Sequence, residues 1–220
     1  MAQESSIEQK KRAAKVIALL KKQYPDARCS LNFGTLHQLM VATILSAQCT
    51  DERVNMVTPA LFERYPSVSD FANAEQEELE KLIYSTGFFR AKAKAIKQSA
   101  QQLVETHNGE IPRTLLELVT LQGVGRKTAS VILGAGFGLA EGVVVDTHVA
   151  RISRKLGFTR KNHPAKVERD LMLLIDKDDW IAFSHMLIYH GRAICVARSP
   201  RCSECPLLKQ CPGAETLSPK

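Results

Sequence analysis

The sequence predicts an all-α protein, and three observations carry that prediction. Apolar residues recur at helical spacing through most of the chain, glycines stand where helices would end, and no long run alternates apolar with polar residues as a half-buried strand would. At 220 residues the chain can bury a proper core, as one large domain or two small ones.

The elements follow in chain order. Ser5 and Glu8 form a capping box ahead of a helical stripe of Ile7, Ala14, Ile17 and Leu20. The segment LHQLMVATILSAQCT (36–50) is apolar nearly all round and reads as a buried central helix. Asp51 is placed to cap the next helix, which Pro59 breaks or restarts. AEQEELEKLIYSTG and FRAKAKAIKQSAQQLVETHNG are amphipathic, each closed by a glycine suited to the position after a helix end. IPRTLLELVT (111–120) reads as a helix with Pro112 near its first turn. A glycine turn, LQGVGRKTA (121–129), leads into a helix from about Lys127 to Ala135. Asp146 then caps a helix that runs to Lys155 and stops at Gly157. Two more helices are expected near 164–175 and 178–189, ahead of a loop-like, cysteine-rich tail from Cys195.

Charge and cysteine usage narrow the function. Lys and Arg outnumber Asp and Glu by 30 to 23, an excess that suits either a polyanionic partner or a well-solvated surface. Seven of those cations fall between Arg151 and Arg169 against the single acid Glu168. The first residues hold no apolar signal-peptide core, and the longest apolar stretch, Ala129 to Ala140, is too short to span a membrane. An intracellular, cytoplasmic location without membrane attachment is therefore expected. There the six cysteines stay reduced rather than forming disulfides. Cys29 and Cys49 read as inert core thiols, Cys49 within the buried helix.

The other four cysteines, Cys195, Cys202, Cys205 and Cys211, form a C-x6-C-x2-C-x5-C array. Four thiolates in a short loop surround a metal and order a segment with little apolar content of its own. Zinc fits the ligand type, but zinc sites more often use two C-x2-C knuckles. The unequal spacings suit the wider corners of a cuboidal [4Fe-4S] cluster better, and both readings stand on spacing alone. Arg192, Arg198, Arg201 and Lys209 lie in or beside the array and offer cations to a phosphate backbone.

LQGVGRKTA matches neither a P-loop nor a dinucleotide fingerprint. It reads as the turn of a helical hairpin. There the amides of Gly123, Gly125 and the following helix start can hold a phosphate of DNA without reading sequence. An empty tight turn is the alternative. Lys127, in the first turn of the second helix, sits at the end where the helix dipole disfavours a cation. It is either a neutral nucleophile, which forms a Schiff base with a sugar carbon, or a second phosphate clamp. Asp146 is an N-cap by position. A carboxylate fixed there also suits proton transfer or the steadying of a developing sugar cation.

LQGVGRKTA, VVVDTHVAR and the cysteine array, in that order, resemble the endonuclease III family of the helix-hairpin-helix DNA glycosylase superfamily. LSAQCTD (45–51), STGFFRAKA (85–93) and HGRAICVARSPRC (190–202) add to the likeness, which covers the chain from about residue 30 to Cys211. The resemblance implies two helical domains flanking a DNA-binding cleft. One is a six-helix, barrel-like domain over 30–140 with the hairpin at about 115–136. The other is a discontinuous domain of 1–29 plus 141–220 carrying the [4Fe-4S] loop. It implies a monomeric, bifunctional enzyme of base excision repair, which removes oxidised pyrimidines from duplex DNA and cleaves the abasic strand. Lys127 matches the Schiff-base nucleophile, Asp146 the catalytic carboxylate, and Cys195, Cys202, Cys205 and Cys211 the cluster ligands. Leu121, Gly123, Val124, Gly125 and Arg126 match the phosphate-binding hairpin, and Arg201 a further DNA contact. Gln48 and Phe88 fall where the family fills the gap left by the flipped base. The family often has a smaller aliphatic residue at the position of Phe88, and some relatives have Ala where Cys49 stands. A monofunctional relative acting on adenine would lack the lysine at 127. A zinc-bearing DNA-binding module would bind duplex DNA without cutting it.

Overall fold

The computed structural model describes residues 4–217, and within them all regular structure is helical. The three residues at each terminus, which the expected domain limits of 1 and 220 include, lie outside the described residues. The helices are α1 (Ser6–Gln23), α2 (Leu36–Leu45), α3 (Asp51–Arg64), α4 (Val68–Ala72), α5 (Gln76–Ile83), α6 (Phe89–His107), α7 (Leu115–Leu118), α8 (Arg126–Val131), α9 (Thr147–Lys155), α10 (Pro164–Leu174) and α11 (Trp180–Ala193). No helix among the described residues is long and apolar enough to cross a membrane. The chain divides into two compact units, Ser30–Glu141 and the pair of segments Met1–Cys29 and Gly142–Lys220.

In the Ser30–Glu141 unit, α2 is the buried centre. Every residue from Leu39 to Leu45 is buried, which is why its sequence shows almost no polar face. It packs against α3, α6 and α8, while α6 also receives α4 and α5. The expected helix over 36–50 stops at Leu45, because the chain turns at 46–49 with Gln48 in the left-handed region at φ 52°. Cys49 therefore lies outside the helix, and it and Cys29 are half-buried rather than core thiols. Thr50, not Asp51, caps α3: its side chain accepts the Arg53 N–H, and Asp51 becomes the first helical residue and accepts a hydrogen bond from Ser30. Pro59 does not break α3. It sits inside the helix, where its ring removes one backbone donor and the surrounding packing of Val54, Thr58 and Leu61 holds the helix together. The helix expected over 111–120 shrinks to α7, capped by Thr114, so that Pro112 precedes the cap.

The second unit is built on α1, α9, α10 and α11. The capping box at Ser5 and Glu8 is present. The buried stripe of α1, however, is Ala13, Val16, Ile17 and Leu20, while Ile7 and Ala14 face solvent. That stripe meets Val149 and Ile152 of α9, Val167 and Leu171 of α10, and Phe183 and Leu187 of α11. Gly157 follows α9 at φ 68°, as a residue beyond a helix end should. The last expected helix, 178–189, begins at Trp180 and continues to Ala193, which carries it to the edge of the cysteine loop.

Candidate active site and metal centre

The hairpin turn is held from inside. Leu121 and Val124 are buried, and the Val124 N–H is spent on Leu121 O at 3.1 Å. The Leu121 N–H in turn donates to Leu118 O at 3.2 Å, so neither amide is open to a ligand. Gly123 has φ 77°, and its Cα lies so close to α6 that a Cβ would sit 2.7 Å from the Ala95 Cβ. Gly125 differs. It caps α8 in extended conformation without a side-chain hydrogen bond, and nothing lies within 4 Å of where its Cβ would be. No side chain caps the start of α8, and Arg126 and Lys127 are exposed there. After Val131 the helix widens into a π-helical turn, Ile132–Gly136, which packs against α2 so closely that a Cβ on Gly136 would meet Leu36 at 2.6 Å.

Asp146 caps α9 as its position predicts, with Oδ1 accepting the Val149 N–H at 2.8 Å. That bond fixes the carboxylate and leaves Oδ2 for other work. His148, on the first turn, is pushed down in pKa by burial, with Asp146 opposing the shift. Its ring packs on Gly191 of α11, where a Cβ would lie 2.5 Å from Nδ1.

Gln48 and Phe88 are exposed, and both have left-handed backbones, φ 52° and φ 47°. Phe88 is 67% exposed, and a bulky residue at positive φ in that setting is strained. Each follows a buried helical end, α2 in one case and the short 3-10 turn Tyr84–Thr86 in the other.

The four array cysteines line a single cavity, walled otherwise by Ile152, Leu156, His190 and Leu207. Burial pushes the thiols of Cys195 and Cys211 up and that of Cys205 to about 11, with the cations Arg151 and Lys155 opposing this at Cys195. Loading a metal must therefore displace protons. Four thiols around one cavity suit a cluster, and backbone N–H groups point at their sulfurs, that of Leu207 at Cys205 and those of Gly213 and Ala214 at Cys211. The loop is clamped from outside. Arg151 donates to Cys195 O, and Arg12 of α1 donates to Gln210 O at 3.0 Å and Leu156 O at 2.6 Å. Tyr24 and Cys205 flank the two ring nitrogens of the buried His190 at 3.0 and 3.5 Å. Arg201 is engaged in the same loop: it donates to Ala193 O and pairs with Glu204 at 3.5 Å.

Comparison with known proteins agrees with this geometry. Residues 41–177 match the HhH-GPD superfamily of base excision DNA repair proteins, and residues 195–211 the iron-sulfur binding domain of endonuclease III. The endonuclease III of Synechocystis sp. is 55% identical over 206 residues, 94% of each chain. That of Bacillus subtilis is 46% identical over 189 residues, 86% of each. The chain belongs to the endonuclease III family.

A solved structure of a trapped endonuclease III–DNA covalent intermediate superposes with a TM-score of 0.89 at 42% identity, covering 94% of this chain and 97% of that one. As a member of that family, the protein is a DNA glycosylase of base excision repair with AP lyase activity, and it carries a [4Fe-4S] cluster. Family membership decides between iron and zinc, which spacing alone left open. Sequence reasoning found the cysteines, the hairpin glycines and the Asp146 cap, because each has a local signature. It missed Arg12, Arg151 and His190, whose partners lie far along the chain, and a buried lysine, Lys92, that looks like any other cation on an amphipathic helix.

Proposed function

We propose that Lys127 is the nucleophile and Asp146 the catalytic carboxylate of a bifunctional enzyme that removes oxidised pyrimidines from duplex DNA. The observation that carries this reading is the position of Lys127: exposed, on the second residue of a helix whose N-cap, Gly125, has no side chain to cap it. The first amides of that helix, with Gly125 and Arg126, take a backbone phosphate beside the damaged nucleotide, and Leu121, Gly123 and Val124 hold the turn that presents them. The Lys127 amine attacks C1′, the glycosidic bond breaks, and the base leaves with the bonding pair and takes up a proton. The amine nitrogen then gives up its proton as the sugar ring opens to an imine. Loss of a C2′ proton expels the 3′ phosphate, and water releases the unsaturated sugar from Lys127. The Asp146 carboxylate steadies positive charge at the sugar and accepts a proton in this sequence.

Gln48 and Phe88 fill the gap left in the duplex when the nucleotide is flipped. Cys195, Cys202, Cys205 and Cys211 hold the cluster, whose iron–thiolate bonds crosslink the loop, and Arg201 closes that loop while adding a cation toward DNA. Ser30–Glu141 serves as the hairpin domain and the remainder as the cluster domain of a monomeric enzyme that works in the cytoplasm, on the nucleoid.

Borohydride trapping on duplexes with oxidised pyrimidines tests the assignment. Wild type is expected to become covalently attached and Lys127→Ala not to. Equal trapping by both would remove Lys127 from the mechanism. In the same assay Asp146→Asn keeps a capping side chain, so folding persists, and base removal slows by about 10²-fold or more.

A further inference from the structure

Lys92 is the one lysine that the described residues bury, at 5% exposure, and no carboxylate among them pairs with it. Its Nζ instead donates to two backbone carbonyls, Leu45 O and Thr86 O, each at 2.8 Å. Both carbonyls end an element. Leu45 is the last residue of α2, where the helix dipole favours a cation, and Thr86 closes the turn Tyr84–Thr86. Burial lowers the pKa of Lys92, which marks a cation held in place at a cost. An apolar side chain would fill the same space without that cost, but it would leave both carbonyls unpaired.

The chain leaves each of these carbonyls on a short path to a strained, exposed residue. Gln48 lies three residues past Leu45, and Phe88 two residues past Thr86. One ammonium on α6 therefore ties together the roots of the two residues that the proposed function places in the duplex gap. We infer that Lys92 is a positioning residue, which holds Gln48 and Phe88 as a fixed pair against the DNA. This rests on the reading of Gln48 and Phe88 as gap-filling residues. Lys92 touches no reacting atom and acts only through the backbone of those two.

The test is a mutant cycle in the cluster-loaded, full-length protein, read by single-turnover base removal and by 2-aminopurine placed opposite the lesion. Lys92→Met keeps the aliphatic stem and removes the donors. In the wild-type background it is expected to slow base removal by about tenfold and to blunt the 2-aminopurine brightening that accompanies gap filling. In a Gln48→Ala/Phe88→Ala background, the same substitution should cost under about twofold, because the residues it positions are gone. Equal losses in both backgrounds would show a general structural effect and overturn the inference, as would an unchanged Lys92→Met enzyme. If Gln48→Ala/Phe88→Ala itself changes neither rate nor fluorescence, the gap-filling reading fails and the inference falls with it. Should Lys92→Met not fold, Lys92→Gln, whose shorter side chain carries its amide short of the Nζ position, carries the same comparison with the same outcomes.

Discussion

Gly123 and Gly125 stand two residues apart in one turn and answer different demands. Gly123 needs its missing side chain twice over, for φ 77° and for contact with Ala95. Gly125 needs it for neither, since its backbone is extended and its surroundings are open. Gly123→Ala is therefore expected to destabilise the protein by about 1–3 kcal/mol, read as a lower melting temperature. Gly125→Ala should melt like wild type but bind duplex DNA more weakly at fixed salt, because it adds a methyl group at the start of α8, where the phosphate is proposed to sit. Full DNA affinity in Gly125→Ala would remove the first α8 amides from the phosphate site. Sequence marks the two glycines equally, because composition records an absent side chain and only the backbone angles say why it is absent. Lys92 is hidden for a related reason: its partner Leu45 lies 47 positions away, and nothing in FRAKAKAIKQ separates it from its solvated neighbours.

Among the elements, those with local punctuation were legible. The capping box of α1, the glycine after α6 and the Asp146 cap of α9 all fall where the sequence places them. Boundaries set by tertiary contacts were not. Apolar residues continue past Leu45, but the chain leaves the helix there, and Pro59 is carried inside α3 by packing that no local rule anticipates. The joint between α3 and α5 shows how such packing responds to pH. At the end of α3, Arg64 donates to both oxygens of Glu78 on α5, at 2.7 and 2.9 Å, and the Tyr65 hydroxyl donates to Glu78 at 3.0 Å. Arg64 and then Tyr65 hold the Glu78 carboxyl below its usual range. Burial, followed by the bond to Glu78, pushes Tyr65 up to about 12. A raised pKa means the folded state keeps its proton longer than the unfolded chain, whose tyrosine titrates near 10. The Tyr65 contribution is therefore complete below about pH 10 and is lost as pH rises toward 12. Tyr65→Phe should flatten the decline in melting temperature across that window, and an unaltered decline would place the alkaline sensitivity elsewhere.

At the scale of the molecule, the two compact units draw on different sources of stability. Ser30–Glu141 has a core of its own around α2 and needs no metal to account for it. In the other unit the loop over 195–211 contributes little apolar surface beyond Leu207, and its order depends on the four cysteines and on clamps from Arg12 and Arg151. Those clamps reach α1 and α9, so the cluster site is joined to the helices that carry the N-terminal stripe and the Asp146 cap. The array itself was plain in the sequence, but the dependence of α1 on it was not, because Arg12 and Gln210 stand 198 positions apart. Removal of iron by a chelator under anaerobic conditions should therefore loosen the chain unevenly. Amide hydrogen exchange is expected to accelerate by on the order of tenfold or more across the cysteine loop, α9 and the adjoining part of α1. Protection of α2 and α6 should stay within about twofold of the loaded protein, since local unfolding need not cross from one cooperative unit to another. Equal loss of protection in both units would show that the cluster stabilises the chain as a whole. Unchanged protection in α1 and α9 would show that the clamps do not transmit the order of the loop.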